Sequence, residues 1–366
     1  MARLKARWRV LAAALAVAGV VTGAVAVGAA QSSVPMRLAP LRTDLLIASM
    51  LRAIADGKPI SGHVSAHVDL GLPALSTQGL PNLPVGAAGI LASLSGDHRL
   101  RVWRSPDGLR ISELLPTSDR SLYVNRSAAW FWDFSSYTAY YVKRPGGAGN
   151  DFQLTDPIAL ARQALDACSQ TTSVRVGSGT RVAGRSAYPI LIEPKTKKTL
   201  VRLVEIDVDA TERLPLRVAV YSQKRSAPPL WVAFTQVSFD RIDPSTYRFT
   251  PPPGAKVRNL VRYGMGEGSA VASHAPLLPG AHLPRVRTAG EEAPMVFGSG
   301  WASIVAIRVP GRAERRMQAA GFDPTQFLPF SGPLFSIRLL DRGDHRWLIY
   351  GLVPQSALAA MENRLH

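Results

Sequence analysis

Hydrophobic and polar residues alternate over short stretches through most of the chain, which is the pattern of half-buried β-strands. In Ser61–Leu70 one alternate set contains His63 and His67, and the other contains Val64 and Val68. Ten further strands are predicted at Arg99–Arg104, Leu109–Leu115, Ser121–Asn125, Ala129–Phe134, Tyr137–Lys143, Thr172–Val182, Ala187–Glu193, Leu200–Asp207, Leu214–Tyr221 and Leu230–Asp240. Turns of hairpin length separate most of them and βα alternation is absent, so we expect antiparallel pairing of about eleven strands.

Two helices are predicted within this β pattern. Apolar residues recur at helical spacing from Leu41 to Ala55, and Gly57 follows as a stop signal. A second helix begins at Thr155-Asp-Pro157, a cap followed by a first-turn proline, and its apolar stripe ends at Cys168. The resulting fold class is mainly β with a minor helical part.

A second, smaller unit is predicted after the Pro251-Pro-Pro-Gly254 turn. Residues 258–294 are poor in apolar side chains and read as a linker, and ordered patterning returns over 295–366. This α+β module contains predicted strands and helices at Val296–Val309, Arg312–Ala320, Pro333–Leu340, Trp347–Val353 and Gln355–Leu365. About seventy residues form a marginal core on their own, so we expect the module to dock on the larger unit.

The first thirty residues indicate an extracytoplasmic protein. Basic residues from Arg3 to Arg9 precede Val10–Ala30, a run of 21 residues without a charge. Such a run is typical of a signal peptide or of a membrane anchor that just crosses the hydrocarbon core. Both interpretations put the rest of the chain outside the cytoplasm, because positive charge stays inside. Since 21 residues are long for the apolar part of a signal peptide, we expect the run to be retained as an anchor.

The composition is that of a folded protein whose net positive charge favours contact with acidic surfaces. The formal net charge is +17, and 46% of residues are hydrophobic against 19% charged. The basic excess is spread along the chain and is densest at Lys195-Thr-Lys-Lys198. This distribution favours an anionic membrane surface and argues against a nucleic-acid groove, which needs a basic stripe with stacking aromatics. Cys168 is the single cysteine, which excludes an intramolecular disulfide.

No catalytic or metal-binding constellation is recognisable. His63 and His67 are four residues apart, but on a strand that spacing separates them by about 13 Å, too far to share one ion. The nucleophile-elbow and phosphate-loop motifs are absent from the sequence. We therefore predict a protein that is not an enzyme, with no cofactor and no metal.

Apolar side chains in unusual places suggest a binding surface. The turn-rich stretch 71–95 contains apolar residues that cannot form a core of their own: Leu72, Leu75, Leu80, Leu83, Ile90 and Leu91. Trp130, Trp132 and Phe134 form one alternate set of a strand, and Trp103 is a further candidate on another strand. An ordinary core with a hairpin surface accounts for the aromatic residues about as well as a ligand pocket.

Several phrases of the sequence resemble the actinobacterial members of the LolA and MucB/RseB superfamily of periplasmic lipoprotein carriers. They are Ser61-Gly-His-Val64, Asp69-Leu-Gly-Leu-Pro73, Ser95-Gly-Asp-His-Arg-Leu-Arg-Val-Trp103, Ala129-Trp-Phe-Trp132, Val182-Ala-Gly-Arg-Ser-Ala-Tyr188, Leu214-Pro-Leu-Arg-Val218 and Phe249-Thr-Pro-Pro-Pro-Gly254. The resemblance covers 41–257. It implies a half-open, curved antiparallel barrel of about eleven strands with covering helices, whose concave face holds acyl chains. The C-terminal module is similar to the small second domain of MucB/RseB proteins.

Two functions follow from this resemblance. The first is an extracytoplasmic carrier that binds a lipid or an acylated protein in an apolar cavity, with 71–95 as a mobile lip. Its expected ligand-binding residues are Leu72, Leu75, Leu80, Leu83, Ile90, Leu91, Trp103, Trp130, Trp132 and Phe134. The alternative is an envelope-stress regulator that binds an anti-sigma factor or another membrane protein. Neither function involves nucleic acid.

Overall fold

The structure, a computed structural model, describes residues 38–71, 96–114, 119–143, 171–259, 295–309, 328–342 and 345–361. These ranges form a large sheet of thirteen strands and a small sheet of five. The strands of the large sheet are β1 (Ile60–Val68), β2 (Gly96–Ser105), β3 (Gly108–Leu114), β4 (Asp119–Asn125), β5 (Ala128–Asp133), β6 (Thr138–Lys143), β7 (Thr172–Val176), β8 (Thr180–Val182), β9 (Arg185–Pro194), β10 (Val201–Asp209), β11 (Pro215–Ser222), β12 (Leu230–Ser238) and β13 (Lys256–Asn259).

The large sheet is antiparallel except at one edge and is not closed. Its order is β13-β6-β5-β4-β3-β2-β1-β12-β11-β10-β9-β7, with β8 paired to β9 and β13 parallel to β6. In the described ranges the end strands β13 and β7 do not pair with each other. This open antiparallel sheet is the predicted half-open architecture, with thirteen strands in place of about eleven.

The sheet is strongly curved. Strand β8 contacts β12, although four strand spacings, about 19 Å on a flat sheet, lie between them in the pairing order. Val182 of β8 also belongs to the same buried cluster as Leu100 and Ile111 of β2 and β3. Side chains from distant strands can converge in this way only on the inside of the curve. We call the side of the sheet that bears this cluster the concave face.

The helix α1 (Thr43–Ala55) covers part of the concave face. Leu46 and Leu51 pack with Ile206 of β10, and Ala53 joins the cluster of Ile111. The helix ends where Gly57 adopts φ +66°, as the stop signal predicts. Burial of one helical stripe against apolar strands provides most of the stability of such a helix.

The two additional strands have clear physical reasons. The stretch Thr172–Val182, predicted as one bent strand, divides into β7 and β8 around Gly177, whose N–H donates to Pro189 O at 2.8 Å. Strand β13 has no counterpart in the prediction because all four of its residues are exposed and Val257 is its one apolar side chain, so no alternation marks it. It pairs with β6 through the backbone, in parallel register.

The small sheet is formed by the C-terminal part of the chain. Its strands are β14 (Met295–Phe297), β15 (Ile304–Val309), β16 (Phe330–Ser331), β17 (Ser336–Arg342) and β18 (His345–Gly351), in the order β14-β15-β18-β17-β16, followed by α2 (Gln355–Ala359). The predicted strand Val296–Val309 is two strands, separated by a 3-10 turn at Gly300–Ala302. Ile349, Trp347 and Leu358 belong to its core.

The small sheet docks on the large one, as its size predicts. Trp301 is buried in the core cluster beneath α1, and its Nε1 donates to Thr172 Oγ1 at 2.8 Å. Thr199 Oγ1 donates to Leu352 O at 2.8 Å, and Ser222 Oγ donates to Pro333 O at 2.6 Å. These direct hydrogen bonds fix the two sheets against each other.

Several predictions concern residues outside the described ranges. They are the N-terminal run Val10–Ala30, the loop residues Leu72, Leu75, Leu80, Leu83, Ile90 and Leu91, the second helix from Thr155, residues 260–294 of the linker, and the helix at Arg312–Ala320. The first two residues of the predicted linker, Arg258 and Asn259, lie instead in strand β13. Within the described part of the chain, no helix is long and apolar enough to cross a membrane.

Candidate functional site

The strand register sorts the side chains of β2–β6 onto two faces. Directly opposed residues of antiparallel strands point to the same side. One cross-strand row on the concave face therefore consists of Val102, Ile111, Leu122, Phe131 and Tyr140. The next row towards the β2–β3 turn consists of Leu109, Val124, Ala129 and Val142. Together these rows make an apolar strip, two side chains wide, across β3–β6.

The strip is buried more deeply at Val102 and Ile111 than on β4–β6. Val102 and Ile111 are buried in the cluster that contains Ala53 of α1. From β4 onwards the side chains are half-buried: Leu122, Val124, Ala129, Phe131, Tyr140 and Val142. The rings of Phe131 and Tyr140 lie next to each other, with centroids 6.1 Å apart. An apolar chain placed on β4–β6 would therefore remove apolar surface from water.

An ionic row borders the strip at the β3–β4 turn. Arg120 lies 4.0 Å from a carboxylate oxygen of Glu113 and 4.0 Å from one of Asp133. Glu113 also forms a hydrogen bond with the Nδ1 atom of His98. These four residues share the concave face with the apolar strip. The row ends the apolar surface on that side, because its residues are polar or charged and pair with one another.

The predicted aromatic residues lie on the opposite, outer face of the sheet. Trp103, Trp130 and Trp132 alternate with Val102 and Phe131, so they point away from α1. The structure thus places them on the opposite side of the sheet from the concave face that they were predicted to line. The physical reason is that alternation separates two sets of side chains without showing which set faces the helix.

The outer-face aromatic residues nevertheless form a cluster. Its centre is Phe249, whose ring centroid lies 5.6 Å from that of Trp130 and 5.8 Å from that of Trp132. Phe134 contacts Trp132 edge-on at 6.5 Å and is 49% exposed. Trp103 lies apart from these rings, against the Arg110 guanidinium at 4.9 Å. Sequence reasoning missed Phe249 as a cluster member, although the aromatic residue before Pro251-Pro-Pro is a visible signal.

The two histidines of β1 each have their own partner. Arg101 Nε donates to His63 Nε2 at 2.8 Å, and His67 Nδ1 lies 2.6 Å from Asp97 Oδ1. This is the solvated strand face that their spacing predicts. Among the described residues, no group of three or more His, Cys, Asp or Glu side chains could hold a metal ion.

A buried ionic network lies on the outer face of β10 and β11. Arg217 Nη1 is 2.9 Å from Asp207 Oδ2 and 3.2 Å from Glu205 Oε1, and its Nη2 donates to the Tyr221 hydroxyl at 3.1 Å. The Asp207 side chain is 1% exposed, and its Oδ1 accepts no hydrogen bond in the described structure. Burial outweighs the attraction of Arg217 and raises the pKa of Asp207 to about 6.

We expect Asp207 to contribute less to the free energy of unfolding as the pH rises. Because the folded-state pKa of Asp207 lies above its ordinary value of 3.8, the native state binds more protons between about pH 4 and 6. The contribution of Asp207 to the free energy of unfolding should therefore decrease by about 3 kcal/mol across that window. Urea denaturation of the wild type and Asp207→Asn at each pH measures the difference. A difference that stays constant from about pH 4 to 7 would contradict the assignment.

Several solved structures are similar to this chain at low sequence identity. No family model and no curated protein sequence matches the chain. The Pseudomonas aeruginosa MucA/MucB complex structure is similar over 87% of this chain and 96% of that chain, with 12% identity and a TM-score of 0.43.

Two further solved structures cover more than half of the chain. An uncharacterized conserved protein from Thermus thermophilus matches 59% of this chain and 97% of its own, at 10% identity and a TM-score of 0.35. A LolA superfamily protein from Nitrosomonas europaea matches 57% of this chain and 99% of its own, at 7% identity and a TM-score of 0.22.

Proposed function

We propose that this protein is an extracytoplasmic carrier that holds the acyl chains of a lipid or an acylated protein against the concave face. The observation that carries the proposal is the half-buried apolar strip on β4–β6, next to a fully covered region beneath α1. A closed core would bury Phe131 and Tyr140 completely. In a carrier, the bound ligand completes the burial of these side chains.

The energy available from such binding is large enough for capture. Burial of each CH₂ group contributes about 0.8 kcal/mol, so a fourteen-carbon chain gains roughly 11 kcal/mol before the costs of ordering. The ionic row of Glu113, Arg120 and Asp133 limits the apolar strip on one side. The protein acts in this proposal by binding and shielding, without a chemical step.

A second candidate is a regulator of the MucB/RseB type that binds a membrane protein such as an anti-sigma factor. The docked small sheet favours it, because its edge strand β14 presents Val296, which is 53% exposed. An edge strand with an apolar side chain can pair with an extended segment of a partner. Purification of the full chain distinguishes the two: copurified lipid supports the carrier, and a stoichiometric membrane-protein partner supports the regulator.

The carrier is tested by titration of a fluorescent fatty acid into the full chain. Replacement of Leu122 and Phe131 together by Asp should weaken binding at least about tenfold, because the carboxylates would be desolvated beneath the acyl chain. The control replaces Val257 and Val296 by Asp, since both are exposed apolar strand residues outside the strip.

Far-ultraviolet circular dichroism confirms that both variants retain the fold. Equal affinity in the strip variant and the control would remove β4–β6 from the binding site. No binding of any acylated probe by the wild type would contradict the carrier, and the regulator would then be the better proposal.

A further inference from the structure

Among the described residues, basic side chains are most concentrated on two neighbouring turns. The β9–β10 turn carries Lys195, Lys197 and Lys198, and the β11–β12 turn carries Lys224 and Arg225. The turns are adjacent because Val201 pairs with Ser222 and the N–H of Gln223 donates to Leu200 O at 2.8 Å. Each of the five basic residues is exposed, so both turns present their charges at one end of the sheet.

These residues and Arg202 form what we call the basic turn patch. It consists of Lys195, Lys197, Lys198, Arg202, Lys224 and Arg225. The Asp69 carboxylate pairs with Arg225 and offsets one of these charges. The excess of positive side chains in the patch gives a positive field, which the overall charge of +17 reinforces.

Hydrogen bonds hold the two turns beneath the patch in place. The turns lie at the junction of the two sheets, where Thr199 Oγ1 donates to Leu352 O and Lys224 Nζ lies 3.3 Å from Ser331 Oγ. The N–H of Lys198 donates to Thr196 Oγ1 at 3.1 Å, which closes the first turn on itself. Charges held on fixed turns lose little backbone freedom when they meet a surface.

We propose that the basic turn patch docks the protein on an anionic lipid bilayer. Four of its six cations are lysines, whose compact hydrated charge suits a diffuse layer of lipid headgroups. The patch also projects as turns, which fit a flat surface better than a groove. The sequence separately predicts a chain that stands at a membrane outside the cytoplasm. This inference concerns the location of the protein at a membrane and does not depend on what its concave face binds.

Nucleic acid and an acidic protein fit the patch less well. Binding of single-stranded nucleic acid uses aromatic rings on which bases stack. The ring at the patch, Tyr221, is covered by the Arg202 guanidinium at 5.2 Å, and its hydroxyl donates to Glu205 at 2.8 Å. Recognition of carboxylates on a protein favours the planar fork of Arg over the point charge of Lys.

The test is the distribution of the full chain between vesicles of phosphatidylcholine and vesicles that also contain phosphatidylglycerol. The patch variant is Lys195→Gln, Lys197→Gln and Lys198→Gln. Each basic residue near an anionic surface strengthens binding about fivefold, so this variant should lose about 100-fold of the preference for phosphatidylglycerol. High salt should abolish the same preference in the wild type.

The matched control is Arg181→Gln, Arg241→Gln and Arg248→Gln, which removes the same charge from exposed positions away from the two turns. We expect the control to keep most of the preference. An equal loss in both triple variants would overturn the proposal, because net charge alone would then explain the binding. Loss of binding to an acidic protein without loss of vesicle preference would overturn it in favour of a protein partner.

The location of the contact is tested by lysine acetylation and mass spectrometry of the full chain on the two kinds of vesicle. Lys195, Lys197, Lys198 and Lys224 should be modified several-fold more slowly on phosphatidylglycerol, and the exposed Lys143 and Lys256 should be unchanged. Uniform protection of all these lysines would contradict docking through the patch.

Discussion

Replacement of Arg217 by Met should lower the free energy of unfolding by about 3–5 kcal/mol at neutral pH. Arg217 is the cation that lies against both Asp207 and Glu205, at 2.9 and 3.2 Å. Without it, the Asp207 carboxylate remains 1% exposed and loses the positive charge that compensates it. Equilibrium urea denaturation measures the loss, and the loss should shrink towards about pH 5 as Asp207 becomes protonated.

A matched control separates burial from ion pairing as the cause. Arg175→Met breaks the pair with Glu193, whose partners are 2.8 Å apart but 55% and 39% exposed, and should cost less than about 1 kcal/mol. The double variant Asp207→Leu with Arg217→Met should recover part of the stability, because Asp207 and Arg217 are then both uncharged while Glu205, 18% exposed, keeps its carboxylate. Equal losses for Arg217→Met and Arg175→Met would contradict a buried network.

The strands were predictable because alternate side chains of each strand lie on opposite faces of the sheet, and the two faces differ in burial. Alternation in Ser61–Leu70 identifies β1, and helical spacing with Gly57 as a stop identifies α1. Strand β13 escaped prediction because its four exposed residues form an edge that buries no side chain. Local patterning reveals an element only when tertiary packing divides its residues into an inside and an outside.

The candidate site was less predictable than the fold. The sequence shows that Trp130 and Phe131 belong to opposite faces, but the choice of the concave face depends on α1 and on strands that are distant in the chain. The larger aromatic residues suggest a pocket, whereas the smaller set with Leu122 and Phe131 lies on the concave face. Side-chain size alone is therefore a poor guide to which face of a curved sheet binds a ligand.

Trp132 should behave as a structural residue with no part in ligand binding. It is 5% exposed on the outer face, and its ring lies 5.3 Å from Tyr137 and 5.8 Å from Phe249. Trp132→Ala leaves a cavity in this cluster, so we expect a loss of about 3–5 kcal/mol in the free energy of unfolding. The affinity for a fluorescent fatty acid should change less than about twofold, because the sheet separates Trp132 from the concave face.

Phe134→Ala provides the comparison, since Phe134 contacts the same ring from a position that is 49% exposed. Its side chain gains little from burial, so its removal should cost less than about 1 kcal/mol. Urea denaturation and the fatty-acid titration are measured on both variants at a temperature where Trp132→Ala remains folded. If Trp132→Ala kept its stability but lost acyl binding, the outer face would be the ligand site, and the assignment of the concave face would be wrong. A loss of stability with unchanged affinity would instead place the aromatic cluster in the scaffold, leaving Leu122 and Phe131 as the residues that meet the acyl chain.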